Sequence, residues 1–152
     1  MRSLSALCAA LCLATQFALA QDARDPVAAK VRALVEDMLI EGKAQQAFSE
    51  LERMDMEAVP YLVGHLDDLR PLPVRRISLV NKSSSAFEAV RHYGPETVHD
   101  ALSALLNQIS GQHFEFVYNG ATDAERAANL ESWRSWCARR FPEKTRVCNG
   151  AI

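Results

Sequence analysis

The chain has 152 residues, of which 49% are hydrophobic and 24% are charged, and its formal net charge is −2. This length suits a single domain, and the composition is that of a globular protein, which excludes a disordered chain. A slightly acidic chain lacks the clustered positive charge that releases counterions from nucleic acid, so we expect no nucleic-acid partner.

Residues 1–20 have the pattern of a secretory signal peptide. Arg2 stands at the start, the apolar run Leu4–Ala14 follows, and small residues end the segment at Ala20. This run is too short to span a bilayer comfortably. We therefore expect a signal peptide that is cleaved after export, a periplasmic or secreted location, no membrane span after cleavage, and a single helical domain over residues 21–152.

Two cysteines, Cys137 and Cys148, lie outside the expected signal peptide. In an oxidising compartment such a pair is expected to form a disulfide, and closing so short a loop contributes about 3 kcal/mol in the chain-entropy model. A zinc site that combines these cysteines with a histidine is the alternative. Because neither His-x-x-x-His nor Cys-x-x-Cys spacing occurs, we expect no metal site and no other cofactor.

Three helices are expected in the first half of the domain. The first begins at the cap Asp25-Pro26, carries an apolar stripe and ends near Gly42. The second covers Lys43–Met54, and the third begins after Asp55, which is placed to cap it. The buried face of the third helix is predicted to comprise Val59, Leu62, Val63, Leu66 and Leu69.

The helical period changes in the middle of the chain. Arg75–Asn81 is rich in β-branched residues and predicts an extended segment. Serines at positions 83–85 can cap another helix that runs to about His92. The turn Tyr93-Gly94-Pro95 then leads into a strongly apolar helix that Gly111 ends.

The end of the chain combines a second extended segment with a last helix. His113–Tyr118 alternates aromatic and other residues before the turn Asn119-Gly120. We expect this segment to pair with the first one as a small two-stranded sheet. Thr122–Glu125 is a capping box that opens a helix ending near Phe141. The predicted fold class is therefore mainly α, with about six helices and a two-stranded β insert.

An internal repeat is visible when the chain is displaced by thirty-nine residues. Ala47–Asp68 then aligns with Ala86–Asn107, so that Glu57 falls on Glu96 and the apolar positions coincide. This predicts two copies of one helix–turn–helix unit. The turn of the first copy reads Asp55-Met56-Glu57-Ala58-Val59, and that of the second, in weaker form, Gly94-Pro95-Glu96-Thr97-Val98.

The length and turn pattern of this repeat resemble HEAT repeats, armadillo-type helix pairs of about forty residues. The closing Trp133-Arg134-Ser135-Trp136 is similar to the end of exported bacterial HEAT-like proteins of unknown function. The resemblance implies a short stack of helical hairpins that serves as a scaffold for other proteins and carries no chemistry.

One set of residues is the candidate binding site. If the two extended segments pair, cationic and aromatic side chains gather along one edge, a mixture enriched at protein interfaces. The alternative is a scatter of ordinary surface charges. The set comprises Arg75, Arg76, His92, Tyr93, Tyr118 and Asn119, with Lys82 beside them.

The sequence thus predicts an exported helical scaffold or protein-binding module with no evident catalytic site and a protein partner, in an oligomeric state that is left open. One alternative is a hydrolase in which a serine from positions 83–85 acts with His92, although no nucleophile elbow surrounds these serines. The other alternative is an inhibitor or immunity-type protein, which is a special case of binding.

Overall fold

A computed structural model describes residues 25–82 and 87–152. Six α-helices and one antiparallel pair of strands make up this part of the chain, which confirms a mainly α fold with a small β insert. The expected signal peptide, residues 1–20, and the three serines at positions 83–85 lie outside the described residues. None of the described helices is both long and apolar enough to cross a bilayer.

The helices and strands follow one another in this order along the chain. They are α1 (Pro26–Met38), α2 (Ala44–Arg53), α3 (Val59–Gly64), β1 (Ile77–Val80), β2 (Val90–Tyr93), α4 (Val98–Ser110), α5 (Asp123–Arg140) and α6 (Thr145–Cys148), with single 3-10 turns at Asp55–Glu57 and Pro142–Lys144.

The first predicted cap is confirmed, and the third helix is shorter than expected. The Asp25 side chain accepts a hydrogen bond from the backbone N–H of Val27 at 3.0 Å and so starts α1. Asp55 does not cap α3, because it lies in a 3-10 turn with a φ of 53°. The predicted buried face of α3 and the turn after it is confirmed except at Leu69, which is 50% exposed.

Helix α4 runs through the centre of the fold. Its start is a capping box in which Thr97 and Asp100 each accept from the other's backbone, and it ends at Gly111 with a φ of 69°. Only a residue without Cβ adopts this left-handed conformation at no cost, so glycine ends the helix as predicted. Every residue from Val98 to Ile109 is buried, because α2, α3 and β1 all pack against this helix.

Helix α5, the long helix near the end of the chain, begins and is anchored as the sequence predicts. Thr122 and Glu125 form the capping box at its start. Trp133 and Cys137 are fully buried, and a disulfide joins Cys137 in α5 to Cys148 in α6. The short α6 also packs on α3, so the disulfide fixes α5 to the helix that covers α3.

The predicted helix ending near His92 is wrong, because Val90–Tyr93 forms strand β2. Strand β2 pairs antiparallel with β1, with Ile77 opposite Tyr93 and Val80 opposite Val90. The predicted strand at Arg75–Asn81 is confirmed, but its predicted partner is wrong. Residues 113–118 form no strand, since Glu115 has a φ of 26° that interrupts an extended conformation.

The two aligned copies therefore differ in conformation over their first halves. Val90–Tyr93 is a strand, whereas the aligned Leu51–Met54 lies at the end of helix α2. Only the second halves of the copies, which contain α3 and α4, are both helical. The likeness to HEAT repeats remains a likeness of sequence.

Candidate functional site

The β-hairpin is fixed to the helices by one of its two faces. Ile77 is fully buried and only 1% of Leu79 is exposed. Strand β1 contacts both α2 and α4. Because side chains alternate along a strand, the neighbouring Ser78 and Val80 lie on the opposite face. Val80 is 52% exposed, so this second face is turned to solvent.

The outer edge of β1 is closed by two side chains of α2. The Gln45 amide donates to the carbonyl of Ser78 at 3.0 Å and accepts from the N–H of Ser78 at 3.1 Å. The Glu52 carboxylate accepts from the N–H of Val80 at 2.9 Å, and burial raises the pKa of this carboxyl group. These contacts occupy the outward N–H groups of Ser78 and Val80 and the outward carbonyl of Ser78, as a neighbouring strand would.

The outer edge of β2 is open. In an antiparallel pair, residues alternate between those that exchange backbone hydrogen bonds and those whose N–H and C=O point outward. The N–H of Asn81 donates to the carbonyl of Ala89 at 2.9 Å. In this register the bonded residues of β2 are therefore Arg91 and Tyr93, and the backbone groups of Val90 and His92 point away from β1. No hydrogen-bond partner for these outward groups occurs within residues 25–82 and 87–152.

Asn119 closes this edge at one end. Its side-chain oxygen accepts from the N–H of Gly94, the next outward donor after His92, at 2.7 Å. The open edge therefore covers Val90 and His92 and stops where the loop of residues 113–120 meets the strand.

Two of the predicted binding residues belong to the packing of that loop. Tyr93 and Tyr118 are each 8% exposed, and their rings meet edge to face with centroids 5.8 Å apart. Gln108 donates to the Tyr93 hydroxyl at 2.5 Å, and burial raises the pKa of Tyr118 to about 12. These tyrosines connect the loop to β2, and little of either side chain is accessible to a partner.

The other predicted residues lie at the surface, as does Lys82. Arg75 and Arg76 are exposed immediately before β1, and His92 is exposed on β2. Asn119 is also exposed but is already engaged with Gly94. The structure thus brings the tyrosine pair and Asn119 together at one end of β2 and distributes the cations over the hairpin.

Several surface residues of the hairpin were missed in the sequence. Phe87 is fully exposed and Val90 is 38% exposed, while Arg91 lies on β2 among exposed residues. They were missed because Phe87 and Val90 have the spacing of a buried helix face. They are exposed because this segment is extended and not helical. We define the hairpin surface as Arg75, Arg76, Val80, Lys82, Phe87, Val90, Arg91 and His92.

The hairpin surface is basic on a protein that is acidic overall. Within the described residues from Arg75 to Tyr93, its four arginine and lysine side chains stand against the single acid Glu88, whereas the chain has a net charge of −2. Lys82 lies 3.5 Å from Asp55, an exposed pair that neutralises little of this charge.

A cavity of about 270 Å³, lined mostly by residues with polar side chains, lies where the hairpin passes the end of α4. Lys82 and Arg91 contribute cations from the hairpin, and α4 and the segment after it contribute Asn107, Gln108 and His113. Arg91 occupies the face of β2 that also carries Tyr93. The cavity is therefore adjacent to the open edge and lined by hydrogen-bond donors.

A second polar cluster, which was not predicted, joins the two ends of the described chain. Lys144 donates to the Asp25 carboxylate at 3.0 Å and to the Tyr61 hydroxyl oxygen at 2.6 Å, and Tyr61 donates to Asp25. The bond from Tyr61, together with Lys144, lowers the pKa of Asp25 to about 2. Burial raises the pKa of Tyr61, and its two partners raise the pKa of Lys144. The cluster thus holds a charged lysine and a protonated tyrosine, which suits a clamp and not a nucleophile.

A serine and a histidine are in contact on the exposed face of the hairpin. Ser78 and His92 are opposite each other on the hairpin, and the Ser78 hydroxyl lies 2.9 Å from Nδ1 of His92. Over residues 25–82 and 87–152, no carboxylate bonds the other ring nitrogen of His92. In the same residues, no group of three or more potential metal ligands occurs.

No protein-family profile matches this chain, and neither the curated proteins nor the solved structures contain a match. The hairpin surface and the contacts around it are therefore the features that indicate a function.

Proposed function

We propose that this protein is an exported protein-binding module that contacts its partner through the hairpin surface. The observation that carries the proposal is the difference between the two edges of the hairpin. Side chains of α2 occupy the edge of β1, whereas β2 exposes the outward backbone groups of Val90 and His92 together with the side chains of Val90 and Arg91. Proteins normally protect a strand edge, and an unprotected edge with exposed apolar side chains is suited to pairing with another chain.

Two features support an exported location. Residues 1–20 have the composition of a signal peptide. The disulfide between Cys137 and Cys148 is compatible with an oxidising compartment. Such a compartment, periplasmic or extracellular, is where the partner should be sought.

Affinity capture from that compartment, followed by mass spectrometry, tests the proposal. Wild-type protein is compared with the double variant Arg75→Glu/Arg76→Glu, which reverses two exposed charges of the hairpin surface. The matched control is Lys30→Glu/Arg32→Glu, which makes the same charge change at exposed positions of α1. We expect the first variant to lose the captured partner and the control to retain it, with circular dichroism unchanged in both.

Equal capture by wild type and by the hairpin variant would remove the hairpin surface from consideration. The chemistry of a captured partner would also distinguish a general scaffold from an inhibitor or immunity-type protein, since the latter would capture one toxin or enzyme stoichiometrically.

A serine hydrolase is the second candidate, and the contact between Ser78 and His92 is the observation that favours it. A serine nucleophile requires a base within hydrogen-bond reach and normally a third group that orients the base. A broad fluorophosphonate probe should label the wild type and spare Ser78→Ala if this candidate is correct. An unlabelled wild type would refute it.

A further inference from the structure

We propose that β2 accepts an extended, acidic peptide segment of the partner as an added strand. This inference rests on the proposed function and specifies the partner chemistry that the hairpin surface recognises.

The backbone of β2 supplies the first argument. Val90 and His92 each direct one N–H and one C=O away from β1, the arrangement that an extended peptide joins in strand addition. Asn119 already occupies the Gly94 donor, so the added strand meets the loop there and its register is limited at that end. The closed edge of β1 leaves β2 as the position for addition on this hairpin.

The charges around β2 supply the second argument. Alternate side chains of an added strand point to the two faces of the sheet. On one face they reach the cavity that contains Lys82, Arg91 and His113, where carboxylates find cations and donors. On the other face they meet the exposed pair of Val80 and Val90. A strand that alternates acidic and apolar or β-branched residues therefore fits both faces.

The same charges disfavour a second copy of this chain as the occupant. Antiparallel pairing of β2 with β2 would bring Arg91 of one copy beside Arg91 of the other. Like charges placed opposite each other across a strand pair are destabilising. An acidic strand from a different protein replaces this repulsion with attraction.

A peptide library selection tests the inference on the full chain without its signal peptide. The probe is a displayed library of random peptides of about ten residues, long enough to cover the edge. His92→Pro is the critical variant, because the outward N–H is the one backbone donor that it removes, while the bonds of Tyr93 and Arg91 to β1 stay in place; it also loses the imidazole and its contact with Ser78. His92→Ala is the matched control, since it also loses the contact with Ser78 but keeps the outward N–H.

We expect wild type to enrich peptides with aspartate or glutamate at alternate positions and without proline. The best peptide, made synthetically, should bind His92→Pro and Arg91→Glu at least about tenfold more weakly than wild type, and His92→Ala within about twofold. Hydrogen exchange should slow at the amides of Val90 and His92 when that peptide is bound.

Any one of the following outcomes would overturn the inference. Wild type and His92→Pro could select the same peptides. Wild type could instead select no peptides, or it could select basic ones. The free protein could already protect the His92 amide, or it could sediment as a dimer that His92→Pro dissociates. If capture of the partner depends on Arg75 and Arg76 but is equal for wild type and His92→Pro, strand addition fails while the proposed function stands.

Discussion

The buried ion pair between Arg126 and Asp100 offers the sharpest test of how the helices are held. Asp100 is fully buried and Arg126 is 8% exposed. Two guanidinium nitrogens of Arg126 donate to the two carboxylate oxygens of Asp100 at 2.8 and 3.0 Å. The carboxylate also accepts from the backbone N–H groups of Glu96 and Thr97 at the start of α4. The pair therefore joins the first turns of α4 and α5.

Replacing Arg126 with methionine removes the charge and keeps most of the apolar stem. Asp100 then remains buried with two backbone donors and the N-terminus of α4, but without its counter-ion. Loss of one partner of a buried pair costs about 3–5 kcal/mol. Because the two backbone donors still stabilise the carboxylate, we expect the lower end, about 3 kcal/mol.

Urea unfolding followed by circular dichroism measures this loss. Arg53→Met is the control, because Arg53 makes a 2.7 Å ion pair with Glu50 while 66% of its side chain is exposed, and it should change the free energy of unfolding by less than about 0.5 kcal/mol. The double variant Arg126→Met/Asp100→Asn should lose at least about 1 kcal/mol less than the sum of the single changes. A loss below about 1 kcal/mol for Arg126→Met, or additive single changes, would refute the assigned role.

Three further predictions follow from other contacts. The pKa of Asp25 is held at about 2, below its ordinary 3.8. The ionised carboxylate therefore adds about 1–2 kcal/mol to the free energy of unfolding above pH 4, and this contribution is lost as the pH falls through 2. Asp25→Asn, which retains a capping side chain, should lower the free energy of unfolding at pH 7 and make it depend less on pH between 4 and 2. Replacing Cys137 and Cys148 with alanine should cost about 3 kcal/mol in urea unfolding, since the bridge closes a sequence separation of 11; an unchanged midpoint would contradict this. A Cβ at Gly64 would lie 2.6 Å from a backbone oxygen of α6, so Gly64→Ala should lower the melting temperature by an amount equivalent to about 1–3 kcal/mol, whereas Gly42→Ala, with open space around it, should not lower it.

The sequence predicted the helices best where their ends carry their own signals. The side chains of Asp25 and Thr122 cap the first turns of α1 and α5, and Gly111 ends α4. Each of these signals depends on residues within a few positions, so no knowledge of the remaining chain was required. Leu69 was assigned to a buried face by spacing alone and is exposed because α3 ends at Gly64.

The candidate site was predicted only in part, because its geometry depends on distant contacts. Arg75, Arg76 and His92 are exposed as predicted. Tyr93 and Tyr118 were expected at the surface and instead pack against each other. Periodicity cannot reveal this, since the two tyrosines come from segments whose pairing was assigned incorrectly.

The sequence by itself determined the capped helices, the extended character of β1 and the disulfide between Cys137 and Cys148. Tertiary structure decided that residues 90–93 form a strand, because the three-residue spacing of Phe87 and Val90 favours a helix and the hydrogen-bond partners that make this segment extended come from β1. It also decided which edge of the hairpin is open. Gln45 and Glu52 reach β1 from a helix more than twenty residues away, and a hydrogen bond across such a separation leaves no local pattern in the sequence.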